Sequence, residues 1–246
     1  MEDNKIWFCS YGNQKFKNSI VRIAKEAKDF GFDEVVTYTT SDLPDDLKQD
    51  PVMKCARGGG YYVWKPHIIY KTLEDMKDGD ILVYLDAGCT IRNGIEAKQT
   101  FESYIDILKN ESPILTCLTA KKPRIPGYSR FYEYQWTKMD LFEYLDAKEF
   151  KNEIQICSGF VGIRKCKDTM EFIAKWRDTM RIQNCHMSRD SLSISPNYPG
   201  FVEHRHDQSV LSLLTRKYGY KVMEDQILTY DVDKLTYPFW AIRARV

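Results

Sequence analysis

No apolar run in this sequence approaches the roughly 20 residues that a membrane-spanning helix requires. The opening Met1-Glu2-Asp3-Asn4-Lys5 also lacks the basic region and longer apolar stretch of a secretory signal. An excess of charge is missing too: 36 Lys and Arg face 35 Asp and Glu, a formal net charge of +1. Such a balance supplies no global field for steering toward DNA, RNA or an anionic membrane, so no nucleic-acid partner is expected. The seven cysteines, Cys9, Cys55, Cys89, Cys117, Cys157, Cys166 and Cys185, are odd in number and scattered. No two stand as Cys-x-x-Cys, which argues against a disulfide framework and a structural zinc site and for reduced thiols in the cytoplasm. The His-Glu-x-x-His pattern of zinc hydrolases is absent. So are internal repeats, low-complexity tracts and linkers.

What is there suits one sizeable core. The chain has 246 residues, 43% of them hydrophobic and 13% aromatic, and α/β folds of this length commonly stay one domain. Lys5-Ile6-Trp7-Phe8-Cys9 predicts a strand, Ser10-Tyr11-Gly12-Asn13 a turn, and Ile20, Val21, Ile23, Ala24 and Ala27 a helix running to Phe30-Gly31. Glu34 to Tyr38 predicts a second strand that closes a βαβ unit. Thr39 to Arg57 reads as an irregular crossing segment, followed by Gly58-Gly59-Gly60 and a helix from about Lys65 to Met76. After the Asp78-Gly79 turn, Ile81-Leu82-Val83-Tyr84-Leu85 is nearly continuously apolar, as a central strand buried on both faces should be. Further helices are expected over Ile95–Leu108, Trp136–Leu145, Asp168–Met180 and Asp207–Tyr218, and strands over Ile114–Leu118 and Ile154–Ile163. Lys121 to Tyr134 reads as a basic, aromatic loop and Ser188 to Gly200 as a mobile one.

Three places carry candidate chemistry. Asp86 directly follows the central strand, where the sheet opens to solvent and α/β folds bind ligands. A carboxylate there suits Mg²⁺ or Mn²⁺ bridging a nucleoside diphosphate, or it simply caps a turn that Gly88 permits. Arg57 and Lys65 flank the triple glycine, which lacks the spacing of a P-loop and is either a phosphate cradle or a flexible turn. Glu203-His204-Arg205-His206-Asp207-Gln208-Ser209 opens an apolar helix, so that Asp207 is either an acidic helix start or a base beside an acceptor hydroxyl. Trp64, Tyr61, Tyr62, Tyr128, Phe131, Tyr132, Tyr134 and Trp136 are aromatic surfaces of the kind that stack on sugars or bases, although most aromatics are core.

Three ordered segments, Arg57-Gly58-Gly59-Gly60-Tyr61-Tyr62-Val63-Trp64-Lys65-Pro66, Asp78 to Cys89 and Glu203 to Ser209, together resemble the small glycosyltransferases of bacterial surface-polysaccharide clusters and large DNA viruses. More distantly they are similar to the glycogenin-like enzymes. The resemblance implies a single GT-A-like α/β domain over 1–246, with a mixed, mostly parallel central sheet flanked by helices. About 1–90 would be a Rossmann-like nucleotide-sugar-binding half and about 91–246 an acceptor side. It implies donor-binding roles for Ser10, Tyr11, Gly12, Arg57, Lys65, Asp86, Ala87, Gly88, Ser158 and Gly159, and catalytic roles for Asp207 and Gln208. Ser158-Gly159-Phe160 resembles the strand start that faces donor and acceptor in such enzymes. In the wider GT-A group Asp-x-Asp binds the metal, and here it reads Asp86-Ala87-Gly88. Asp86 with His204 or His206 would then hold Mn²⁺ or Mg²⁺.

The implied activity moves a hexose or deoxyhexose from a nucleoside-diphosphate sugar, such as a UDP-sugar, to a hydroxyl of a glycan or glycoconjugate acceptor. Inversion would need a general base, for which Asp207 is the candidate. Retention would place the acceptor on the leaving-group face. The competing readings are a nucleotidyltransferase, whose basic glycine-rich loop after the first strand is missing at Ser10-Tyr11-Gly12-Asn13, and a noncatalytic nucleotide- or carbohydrate-binding protein, which the absent second Asp favours.

Overall fold

The computed structural model describes residues 4–119, 130–227 and 236–242. Most of the expected Lys121–Tyr134 loop, Tyr128 included, lies outside the described residues. The strands are β1 (Ile6–Tyr11), β2 (Glu34–Tyr38), β3 (Ile81–Leu85), β4 (Thr90–Ile91), β5 (Ile114–Leu118), β6 (Ile156–Arg164), β7 (Lys221–Met223) and β8 (Phe239–Trp240). Six of them form a sheet in the order β2-β1-β3-β6-β5-β7, while β4 and β8 make a separate antiparallel pair. β1 pairs in parallel with β2 and β3, and β6 runs antiparallel to both β3 and β5. Five of the six strands therefore point one way, and the sheet is mixed and mostly parallel.

Alternation along the strands divides the core. Cys9, Tyr11, Leu82, Tyr84, Val161 and Ile163 face one layer, with the helices Trp64–Asp75, Lys167–Cys185 and Asp207–Lys217. Phe8, Ile81, Val83, Leu85, Leu115 and Phe160 face the other, with the helices Lys17–Phe30 and Ile95–Asn110. All five residues of β3 are buried, as its unbroken apolar run requires of a strand covered on both sides. Among the described residues no helix is long and apolar enough to cross a membrane, and all seven cysteines are free thiols.

Two local departures from the sequence reading have physical causes. The single helix expected over Trp136–Leu145 is two, Glu133–Trp136 and Met139–Leu145. Between them Lys138 is extended, with its backbone N–H on His204 Nδ1 at 3.3 Å and its ammonium on the carbonyls of His186 and Arg189. The glycine run is not a loop. Gly58, Gly59, Gly60, Tyr61 and Tyr62 all take positive φ, at 61°, 58°, 99°, 52° and 62°. They wind one left-handed turn, a conformation that costs an L-residue roughly 1–2 kcal/mol and glycine little. At Gly60 a Cβ would also stand 2.7 Å from Met53 Sδ. Ser188–Gly200 is irregular, and Asp140 and Asn197 hold it to the start of the Met139–Leu145 helix.

Candidate functional site

β6 is antiparallel to β3, so its first residues lie beside the carboxyl end of β3, with Leu85 opposite Phe160. The Trp64–Asp75 and Asp207–Lys217 helices begin at this same edge. Lys65, in the first helical turn after the left-handed one, is drawn into the crevice. Its side chain is 1% exposed, and Nζ lies 2.5 Å from Asp207 Oδ2 and 3.1 Å from Asp86 Oδ1. Ser158 Oγ and the Ser158 carbonyl accept from the same ammonium at 3.3 and 3.2 Å, and the Tyr62 and Tyr84 rings stand 5.2 and 5.3 Å away. Burial by itself would lower the pKa of this amine. The Asp207 and Asp86 carboxylates outweigh burial and hold it above its ordinary value. Lys65 is thus a fixed buried cation held between two carboxylates.

Asp86 is the open member of the trio. Its side chain is 40% exposed, its Oδ1 accepts from the Tyr84 hydroxyl at 2.6 Å, and its backbone N–H bonds the Gly159 carbonyl at 3.0 Å. At Gly159 a Cβ would reach 3.4 Å from Asp86 Oδ2, so the glycine leaves that oxygen uncovered. Ala87 is buried, and its carbonyl, like that of Cys89, accepts from Arg22. Gly88 is half-buried between them.

The first turn contributes differently from expectation. Ser10 is fully buried and donates to the Leu85 carbonyl at 2.7 Å, bracing the strand end that carries Asp86. Tyr11 stacks on Trp64 at 3.9 Å. Gly12 lets the Lys17–Phe30 helix approach, since a Cβ there would stand 2.8 Å from Ile20 Cβ. These three shape the wall behind the crevice.

The Glu203–Ser209 segment is also brought to the site, but its members separate in role. His204 is buried, with Nδ1 accepting from the Lys138 backbone and Nε2 donating to the Met187 carbonyl at 2.9 Å. Burial and the neighbouring Lys138 push its pKa well down. Both ring nitrogens are therefore used within the fold, and the expectation that His204 ligates a metal is replaced by a structural role. His206 uses Nδ1 on the Ser188 carbonyl at 2.7 Å and keeps Nε2, which lies 3.5 Å from Asp190 Oδ1. Its backbone, at φ 54° and ψ −121°, is strained for a non-glycine residue. Arg57, expected on a diphosphate, pairs with Glu203 at 3.0 Å and Asp190 at 3.7 Å. Gln208 is half-buried and donates to Gln155 Oε1 at 2.6 Å.

A divalent ion, which the sequence resemblance implies, finds no ready cage. Among the described residues no three His, Cys, Asp or Glu side chains converge as ligands. On the Asp86 side, the Lys65 ammonium already occupies the space between the Asp86 and Asp207 carboxylates. The donor set does not fit an ion held by protein groups alone.

Sequence reasoning missed several contributors. Tyr84 lies two residues before Asp86, and that spacing puts both on one side of the strand, a signal open to inspection. Arg22 clamps the turn after β3 and is itself held by Glu26 at 2.7 Å, while Glu26 also accepts from Thr90 and the Ile91 N–H. Asp190, Gln155 and Glu133 come from segments with no motif, and nothing local marks them.

No protein family model and no curated protein matches the sequence. Solved structures do. A glycosyltransferase involved in glycosylation of the major capsid of PBCV-1 is similar at 12% identity and a TM-score of 0.52, over 96% of this chain and 93% of that one. The apo form of the glycosyltransferase GlyE of Streptococcus pneumoniae TIGR4 matches at 12% identity and a TM-score of 0.47, over 91% of this chain and 46% of that one. The likeness to the first shows the fold: the chain has the mixed α/β architecture of GT-A glycosyltransferases.

Proposed function

We propose that this protein transfers a sugar from a nucleoside-diphosphate sugar to a hydroxyl of a glycan or glycoconjugate acceptor. The observation that carries the reading is the Lys65 ammonium, buried between Asp86 and Asp207 at the carboxyl end of the sheet. A fixed cation holds two carboxylates at set positions, and Asp86 keeps its second oxygen for other work. Carboxylate oxygens accept strongly from hydroxyls, so the pair suits a polyhydroxylated ring better than a base or a peptide. Gly159 leaves Asp86 Oδ2 uncovered for this contact.

In the reaction the acceptor oxygen bonds to the anomeric carbon, the bond from that carbon to the diphosphate oxygen breaks, and the nucleoside diphosphate leaves with the electron pair. Asp86 and Asp207 would orient the transferred ring by its hydroxyls, and Lys65 would hold both carboxylates in place as positive charge develops on the ring. Asp207 or Gln208 would face the attacking hydroxyl, whose proton passes to the Asp207 carboxylate.

A panel of UDP-, GDP- and dTDP-sugars, each assayed for release of free nucleoside diphosphate with glycan acceptors and with Mn²⁺ or a chelator, tests the reading. Turnover of one donor that stops in Asp86→Asn supports it. Failure of every nucleotide-sugar to bind under any of these conditions overturns it.

A further inference from the structure

Behind Gln208 lies a buried polar chain that the proposed reaction does not use. Glu133, Gln155, Thr137, Ser209 and Ser212 are all almost completely buried. The directions of their hydrogen bonds are forced. Thr137 Oγ1 donates to Glu133 Oε2 at 2.7 Å, and Ser209 Oγ donates to the Trp136 carbonyl at 2.7 Å. Toward any third group both hydroxyls can then only accept. Gln155 Nε2 is surrounded by Ser209 Oγ at 3.1 Å, Glu133 Oε2 and Thr137 Oγ1 at 3.3 Å, and the Trp136 carbonyl at 3.4 Å. All four are acceptors, so the amide nitrogen must face them and Oε1 must face Gln208. Gln208 can meet that oxygen only with its own Nε2, at 2.6 Å. Its carbonyl oxygen is left over.

We propose that Glu133 and Gln155 are positioning residues that lock the Gln208 amide with its oxygen presented to the ligand, so that Gln208 accepts a hydrogen bond from a ligand hydroxyl instead of donating one. The assignment of a ligand to Gln208 rests on the transferase reading above, but the lock is a property of the free protein. Its control lies in Glu133. Ionised, Glu133 is purely an acceptor. Protonated on Oε2, it can donate to Thr137, whose hydroxyl is then released to donate toward Gln155. Gln155 Nε2 then keeps only Ser209 Oγ and the Trp136 carbonyl as firm acceptors, and its hold on the Gln208 amide loosens. Burial pushes Glu133 up to about 7, against the opposing pull of Ser212, Thr137 and Arg216. Arg216, from the Asp207–Lys217 helix, is the charged group facing it and is itself paired with Glu153 at 3.2 Å.

The experiment follows the side-chain amide resonances of Gln208 and Gln155 by NMR in the free protein between pH 5 and 9. They are expected to titrate together with a midpoint near 7, and the transition is expected to vanish in Glu133→Gln. Should that variant not fold, Thr137→Val is expected to raise the midpoint, because it removes a donor to the ionised carboxylate, while Thr137→Ser leaves it in place. Resonances of Gln208 that do not titrate, or that titrate unchanged in the folded Glu133 or Thr137 variants, overturn the proposal whether or not the protein transfers sugar. With a donor in hand, Gln155→Met is expected to lower kcat by about tenfold or more while the donor Kd stays within about twofold. An unchanged kcat contradicts the assignment of a ligand to Gln208.

Discussion

Lys65 Nζ lies 2.5 Å from Asp207 Oδ2, joining the start of one helix to the start of another across the crevice at the end of β3. Both side chains are almost fully buried, at 1% and 4% exposed. Removing one partner therefore leaves a charge stranded out of water. Lys65→Met is expected to cost about 3–5 kcal/mol of stability, and Lys65→Met with Asp207→Asn less than that, because the second change removes the stranded charge. Denaturant unfolding of the two singles and the double variant measures the coupling. Additive losses would show that the pair does not act as a unit.

Asp86 should behave differently. Its side chain is 40% exposed, where an ion pair contributes at most about 1 kcal/mol. Asp86→Asn is expected to leave the melting temperature nearly unchanged and to weaken donor binding by about tenfold or more, the worth of a charge-assisted hydrogen bond. Calorimetry and thermal melting on the same preparation separate the two effects.

Gly159→Ala offers a steric version of the same test. A Cβ at 3.4 Å from Asp86 Oδ2 makes ordinary contact and strains nothing, so the protein should fold normally. It should also cover the oxygen offered to the sugar, and donor affinity should fall. Gly12→Ala is the contrast. Its Cβ would stand 2.8 Å from Ile20 Cβ, and the overpacking is expected to cost about 1–3 kcal/mol, read as a lower unfolding midpoint.

The pH dependence of stability carries a sign that follows from Glu133. Its folded pKa is about 7 against an ordinary 4.5, so between those values the native state holds a proton that the unfolded chain has lost. Its contribution to stability should therefore fall as pH rises from about 4.5 to 7 and then level off. Glu133→Gln should remove this component of the slope, as urea unfolding at a series of pH values would show.

Much of the architecture was legible in the sequence. β2, β3 and β5 fall where apolar or β-branched runs placed them, and the buried β3 is apolar throughout because it is covered on both faces. The position of Asp86 followed from the end of that run. What was illegible depends on long-range placement. That Lys65 turns inward, and does not flank a phosphate loop, is decided by a left-handed turn and by two carboxylates, Asp86 and Asp207, 21 and 142 positions away along the chain. The engagement of both His204 nitrogens depends on backbone groups of Lys138 and Met187 from separate segments. The polar chain through Glu133 and Gln155 has no periodicity or motif, since its logic lies in the directions of hydrogen bonds.

The central claim is that Lys65, Asp86 and Asp207 together recognise the sugar of a nucleotide-sugar donor. Calorimetric titration of the wild type and of Asp86→Asn, with the preferred nucleotide-sugar and with the free nucleoside diphosphate, tests it most directly. The account predicts that the variant loses affinity for the nucleotide-sugar and keeps that for the nucleoside diphosphate. Equal affinity of wild type and variant for the nucleotide-sugar would contradict it.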